Sequence, residues 1–241
     1  MTEPTHRSLL VLDVEDSESL SNVQLESMRS TLYRALDDAI PHPEVVVAKE
    51  DRGDGAMLVL GIPVLDVLDQ IVEGLLAGVQ KHNNEVGPLD WLRVRIAVHE
   101  GYVGRDDNGW SSDALTATFR MNAAPAVKQV LKRAPRTHGV VVVSDVVYQG
   151  VVRHSYRATV TPNDYRSTVI SMKNGDVQIW VRVPGYPEPP FLEFVPTPAG
   201  SKGGGATPRA DENNAVTANN MILGNVRART IIGRDNIGGQ V

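Results

Sequence analysis

The chain has 241 residues, 41% of them hydrophobic, 22% charged and 5% aromatic, with a formal net charge of −5. This excludes a fibrous or wholly disordered protein and allows one domain of ordinary size with a tail. Cys is absent and none of the six His is spaced i, i+4 from another, so disulfides, thiolate zinc and thiol nucleophiles are excluded and any metal must be held by oxygen. The acidic balance gives no basic footprint for duplex nucleic acid. No apolar run reaches the roughly 18 residues of a membrane span. The apolar opening leads into charge without a small-residue cleavage site, so no signal peptide and a cytoplasmic location are expected.

Leu9 to Leu12 is an apolar run ending at Asp13. Leu25, Met28, Leu32, Leu36 and Ile40 then recur at helical spacing behind the capping-type residues Asp16 and Ser17. A strand and a helix are expected. Pro41 and Pro43 stop that helix, and two short apolar strands, Val45 to Ala48 and Met57 to Leu60, flank the turn residues Asp51-Arg52-Gly53-Asp54-Gly55 as a β-hairpin. Pro63 opens a helix carrying Leu65, Leu68, Ile71, Val72, Leu75 and Val79 on one side, and Leu92 to His99 alternates as a strand. The order β-α-β-β-α-β predicts an α+β fold with a ferredoxin-like βαββαβ core.

Beyond it, Gly104 to Ser112 reads as a polar loop, and a helix from Asp113 must kink or end at Pro125. Val140 to Val143 is an apolar strand, and Thr168 to Met172 and Val177 to Val183 flank the hairpin signal Asn174-Gly175. Residues 1–186 are thus expected to form the domain. Residues 187–215, rich in Pro, Gly and polar side chains, read as a flexible linker, and 216–241 as a β-prone tail too short for a core of its own.

Two carboxylates carry the chemical interest, because this topology brings the end of the first strand, Asp13, beside the hairpin turn that holds Asp54. Mg²⁺ takes one or two carboxylates and completes its shell with water and substrate phosphates, so the pair suits a metal over a polyphosphate. Asp also caps helices and Asp-Gly also makes tight turns, so composition alone leaves both uses open.

The segments LLVLDVEDSES, RGDGAMLVL, LRVRIAVHEGYV, SDALTATFRM and HGVVVVSDVVY resemble, in order and spacing, the successive motifs of class III nucleotidyl cyclase catalytic domains, over about Ser8 to Val183. The resemblance implies a nucleoside triphosphate substrate, Mg²⁺ or Mn²⁺, and a head-to-tail homodimer with active sites at its interface. It makes Asp13 and Asp54 the metal aspartates and puts the backbone from Val14 to Ser17 against phosphates. Arg120 becomes the arginine that meets the transferring phosphoryl group, where the residue without the surrounding motif reads first as a solvated helix arginine. Lys173 lies within a residue of the family's phosphate-binding lysine, and a plain hairpin lysine reads the same.

Thr116 stands where the family has an asparagine that positions ribose, offering a shorter reach and only a hydroxyl. At the base-specifying positions Glu50, with Arg52 nearby, replaces the adenylyl cyclase lysine, and the second position falls near Gly109 with no aspartate or threonine in register. Glu50 resembles the guanylyl cyclases, but their companion residue is not evident either. A pocket with the metal pair and no purine readers is similar to the small pyrimidine cyclases of bacterial antiphage systems, which make cyclic UMP or cyclic CMP for an effector. The other readings are a catalytically degenerate nucleotide sensor that signals through the tail, a guanylate or adenylate cyclase, and a dimer scaffold that delivers the tail to a partner. Tyr102 and Trp110 are placed to stack on a base or to serve as core or interface aromatics. The tail segment NNMILGNVRARTIIGRDNIGG resembles bacterial amyloid-signalling motifs, with an effector contact through 216–241, or else is a disordered tail whose Arg227, Arg229 and Arg234 oppose stacking.

Overall fold

The structure is a computed structural model that describes residues 3–172 and 175–190. The chain divides into two units, Met1–Thr197 and Pro198–Val241, and the second lies outside the described residues, as do the tail motif and most of the expected linker.

Strand β1 (Thr5–Val14) sorts its side chains by alternation, with Leu10, Leu12 and Val14 on one face and Leu9, Val11 and Asp13 on the other. Helix α1 (Asn22–Ala39) follows. Its cap is Ser21, in a reciprocal box with Gln24, and not the expected Asp16 or Ser17. Those two residues instead shape a separate turn, in which Asp16 is left-handed and Ser17–Ser19 form one 3₁₀ turn. Strands β2 (Val46–Asp51) and β3 (Gly55–Leu60) make the expected hairpin. A short α2 (Val64–Asp66) continues through a π-helical segment, Val67–Val72, into α3 (Glu73–Glu85).

Strand β4 (Val94–Asp106) runs well past His99 and folds back on β5 (Gly109–Ser111). The expected polar loop is therefore a ribbon, closed by Asp107 and Asn108 with Gly109 at φ 126°, where a side chain would be strained. Helix α4 (Asp113–Ala123) ends before Pro125, which opens a new helix, α5 (Pro125–Arg133). After β6 (Gly139–Ser144) come α6 (Asp145–Gly150), which the sequence pattern did not show, and the hairpin β7 (Tyr165–Met172) and β8 (Gly175–Arg182).

The sheet order is β2-β3-β1-β4-β6-β8-β7, with β5 on β4. Its first four strands form the ferredoxin-like half, all antiparallel, and β6 joins β4 in parallel. Helices α1 and α3 cover one face over Leu10, Leu12, Leu58 and Ile96. The other face packs Leu9, Val11 and Met57 against Leu115 of α4, and Val140 and Val142 with Val127 and Leu131 of α5. Asp13 thus opens toward α4 and α5. Among the described residues no helix is long and apolar enough to cross a membrane.

Candidate functional site

The site forms where β1 ends. Asp13 is paired with Gly55 of β3 on one side and Arg95 of β4 on the other. A Cβ at Gly55 would lie 2.0 Å from the Leu12 carbonyl oxygen, so only glycine allows this approach. The tight crossing brings the turn before β3 against the strand end, and Val14 N–H donates to the Asp54 carbonyl at 3.1 Å. Ser17 donates from Oγ to Asp54 Oδ2 at 2.5 Å, which fixes that carboxylate.

Asp13 is held by Arg95, a buried guanidinium whose Nη2 donates to Oδ2 at 2.9 Å. The Arg95 Nε lies 2.8 Å from Oδ1, but its N–H is misaligned, so this second contact is an ion pair and leaves Oδ1 without a hydrogen bond. Burial pushes the Asp13 carboxyl above the usual carboxylate range. Arg95 opposes that shift by its hydrogen bond and its charge, the neighbouring Asp54 charge adds to it, and the Asn122 side chain works against it. Asn122, on α4, is buried with its Oδ1 unpartnered.

Asp13 and Asp54 line one cleft of about 700 Å³, together with Val14, Ser17 and Arg95 and with Lys128, Gln129 and Lys132 of α5. A hollow of about 330 Å³ opens from the same two carboxylates toward Arg52, Phe119 and Asn122. Two carboxylates, one of them with a buried oxygen, Asp13 Oδ1, that accepts no hydrogen bond, are the donor chemistry of a hard cation, so the residues present fit Mg²⁺ or Mn²⁺. Among the described residues no three His, Cys, Asp or Glu side chains cluster for a metal, which leaves much of the shell to water and substrate oxygens.

The other expected site residues divide into two groups. Arg52 lines the smaller hollow, with its Nη2 3.6 Å from Glu50 Oε2 and its guanidinium 4.8 Å above the Phe119 ring. A Cβ at Gly109 would sit 3.8 Å from Glu50 Oε1, so both base-specifying positions face one spot. Thr116 and Arg120 are not brought to the carboxylates. They are exposed on α4, Thr116 Oγ1 donates to the Ser112 carbonyl at 3.0 Å, and Arg120 borders a different hollow with Val169 and Met172. That hollow shares only Ala123 and Pro125 with the cleft. Lys173 lies outside the described residues. Trp110 packs on the core under α4, while Tyr102 is exposed, edge-on to His6.

Arg95, Asn122, Ser17 and the α5 lysines were missed by sequence reasoning. Arg95 was findable, because the LRVRIAVH alternation puts an arginine on a strand with no solvated face. The others depend on how α4, α5 and the β1–α1 turn pack.

No family model matches the chain, and no curated protein matches it in sequence. Solved structures do. A Silicibacter pomeroyi protein described as an adenylate/guanylate cyclase/hydrolase is 16% identical, covers 77% of this chain and 100% of its own, and superposes with a TM-score of 0.53. The catalytic core of a rhodopsin-guanylyl cyclase with converted specificity, in complex with ATPαS, is 15% identical over 75% of this chain and 98% of its own, at 0.49. The dimeric guanylyl cyclase domain of the RhoGC fusion protein from Blastocladiella emersonii is 14% identical over 76% and 99%, at 0.48. The first of these likenesses establishes a shared fold, and it is the α+β core expected from the sequence.

Proposed function

We propose that the chain is a nucleotidyl cyclase that converts a nucleoside triphosphate to the 3′,5′-cyclic nucleotide and pyrophosphate. One observation carries the reading: Asp13 and Asp54 converge on a single cleft, with the turn from Val14 to Ser19 beside them. The motif order and the fold shared with the S. pomeroyi protein support it.

Asp13, Asp54 and the main chain at Val14 would hold Mg²⁺ or Mn²⁺, which when bound supplies Lewis acidity to the ribose 3′-hydroxyl and neutralises the triphosphate. Arg95 keeps the Asp13 carboxyl in one orientation, and Ser17 does the same for Asp54. The backbone from Val14 to Ser17 meets the phosphates. Arg120 does not line the cleft of its own chain and lies on an exposed face of α4. We assign it, with Thr116, to the cleft of a second copy, where a guanidinium meets the charge of the in-line displacement.

For the base, Glu50 accepts and Arg52 donates; uracil meets that pair with N3–H and O4, and cytosine meets it in the reverse order with its 4-amino group and N3. Guanine presents a similar edge and is the competing substrate. A pyrimidine, UTP before CTP, fits the missing purine reader at Gly109. This carries a role as second-messenger source in antiphage defence, with 216–241 as the contact for an effector. The direct test is incubation with each of ATP, GTP, CTP and UTP and Mn²⁺. Cyclic UMP is expected from the native chain and not from Asp54→Ala; no cyclic product from any of the four contradicts the proposal. Thr116, shorter than asparagine and bonded to its own helix, favours the sensor reading, for which nucleotide binds tightly without turnover.

A further inference from the structure

The cleft has a wall that the cyclase motifs do not account for. Helix α5 is set off from α4 by Pro125 and buries Val127, Val130 and Leu131 against the sheet. That anchoring fixes the opposite side of the helix, where Lys128, Gln129 and Lys132 line the same cleft as Asp13 and Asp54. Lys128 has no carboxylate within ion-pair distance among the described residues, and Lys132 has only a loose contact, 3.9 Å, with exposed Asp16. Both ammonium groups are thus available to another anion.

The charge of the cleft shows what that anion is. Four carboxylates line it, Asp13, Asp16, Glu18 and Asp54, against three cations, Arg95, Lys128 and Lys132, and Arg95 is already committed to Asp13. Without α5 the wall would repel a triphosphate before any metal arrived. With it, the cleft carries two ammonium groups beside its carboxylates.

We infer that Lys128 and Lys132 of α5 form a cis-acting binding site for the β- and γ-phosphates of the substrate and hence for the departing pyrophosphate. This rests on the cyclase reading only for the identity of the nucleotide. The chemistry it requires is a polyphosphate with its divalent ion, held by two point charges one helical turn apart.

The probe is inorganic tripolyphosphate with Mg²⁺, titrated calorimetrically into the full-length chain, because it has no base and undergoes no cyclisation. Lys128→Ala/Lys132→Ala is expected to weaken binding about tenfold, a loss of roughly 1.4 kcal/mol, while Lys128→Arg/Lys132→Arg keeps most of it. Lys81→Ala, an exposed charge on α3 away from the cleft, should leave it unchanged. Equal affinity of the native chain and the double alanine variant, an equal loss in Lys81→Ala, or no binding to the native chain overturns the inference. With the triphosphate that is turned over, the double alanine variant should raise KM and leave kcat nearly unaltered. If tripolyphosphate binding depends on the lysines but no nucleotide is cyclised, the cyclase reading falls and this site stands. If cyclisation proceeds with unchanged KM in the double variant, the site falls and the cyclase reading stands. Both lysines are exposed, so the variants should keep the native melting curve.

Discussion

Asp13 and Asp54 are equivalent as ligands and unequal as parts of the fold. Asp13 neutralises Arg95, which is 8% exposed, so Asp13→Ala leaves a buried guanidinium unpaired and should cost about 3 kcal/mol. Asp54→Ala gives up one hydrogen bond from Ser17 and should cost about 1 kcal/mol. Urea midpoints of the two variants separate these values, while both should abolish cyclisation. Similar midpoints would show that Arg95 is solvated without its partner. At this scale the sequence was legible where a residue sits at the end of an element. Asp13 ends a strand and Asp54 fills a turn, so topology alone brought them together. Arg95 and Asn122 could not be ranked that way, because their importance comes from burial on facing elements.

At the scale of elements, the β1–β3 crossing is the joint on which the site depends. Gly55→Ala places a methyl group against the Leu12 carbonyl, so either the hairpin separates from β1 or the strand bends. A loss above ~3 kcal/mol is expected, with Mn²⁺ binding lost in parallel. A variant with native stability would mean the crossing is looser than its geometry. A second joint ties β4 to β6, where His99 Nδ1 lies 2.8 Å from Ser144 Oγ, itself the cap of α6. Burial, with a smaller push from the His6 charge, pulls the His99 imidazole down to about 4. Its folded value lies below its unfolded one, so the unfolded chain binds the extra proton between the two. The stability from keeping His99 neutral is fully present above about pH 6.5 and is lost as the pH falls toward 4, up to roughly 3 kcal/mol. His99→Gln should flatten the urea midpoint across that window, and an unchanged slope would assign the acid sensitivity elsewhere. Periodicity gave α1, β3 and the β7–β8 hairpin. It misplaced the α1 cap, because Asp16 and Ser17 are drawn into the cleft turn and leave Ser21 to the helix. It also misread the β4–β5 ribbon as a loop, because Asp, Asn and Gly mark a tight hairpin as readily as a coil.

At the scale of the molecule, one chain places the carboxylates and the arginine of the proposed reaction in different hollows. No periodicity in a single sequence encodes that separation, since it reports which faces are buried within a chain and not which are completed by another. The proposed site is therefore one built from two copies. Mixing two inactive variants, Asp54→Ala and Arg120→Ala, tests it most directly, using the triphosphate that the native chain turns over. Heterodimers carry one intact site in two, so exchange of subunits should restore about a quarter of native activity. The contradicting result is a mixture as inactive as its components after subunit exchange has been demonstrated, or an Arg120→Ala variant that cyclises at the native rate by itself.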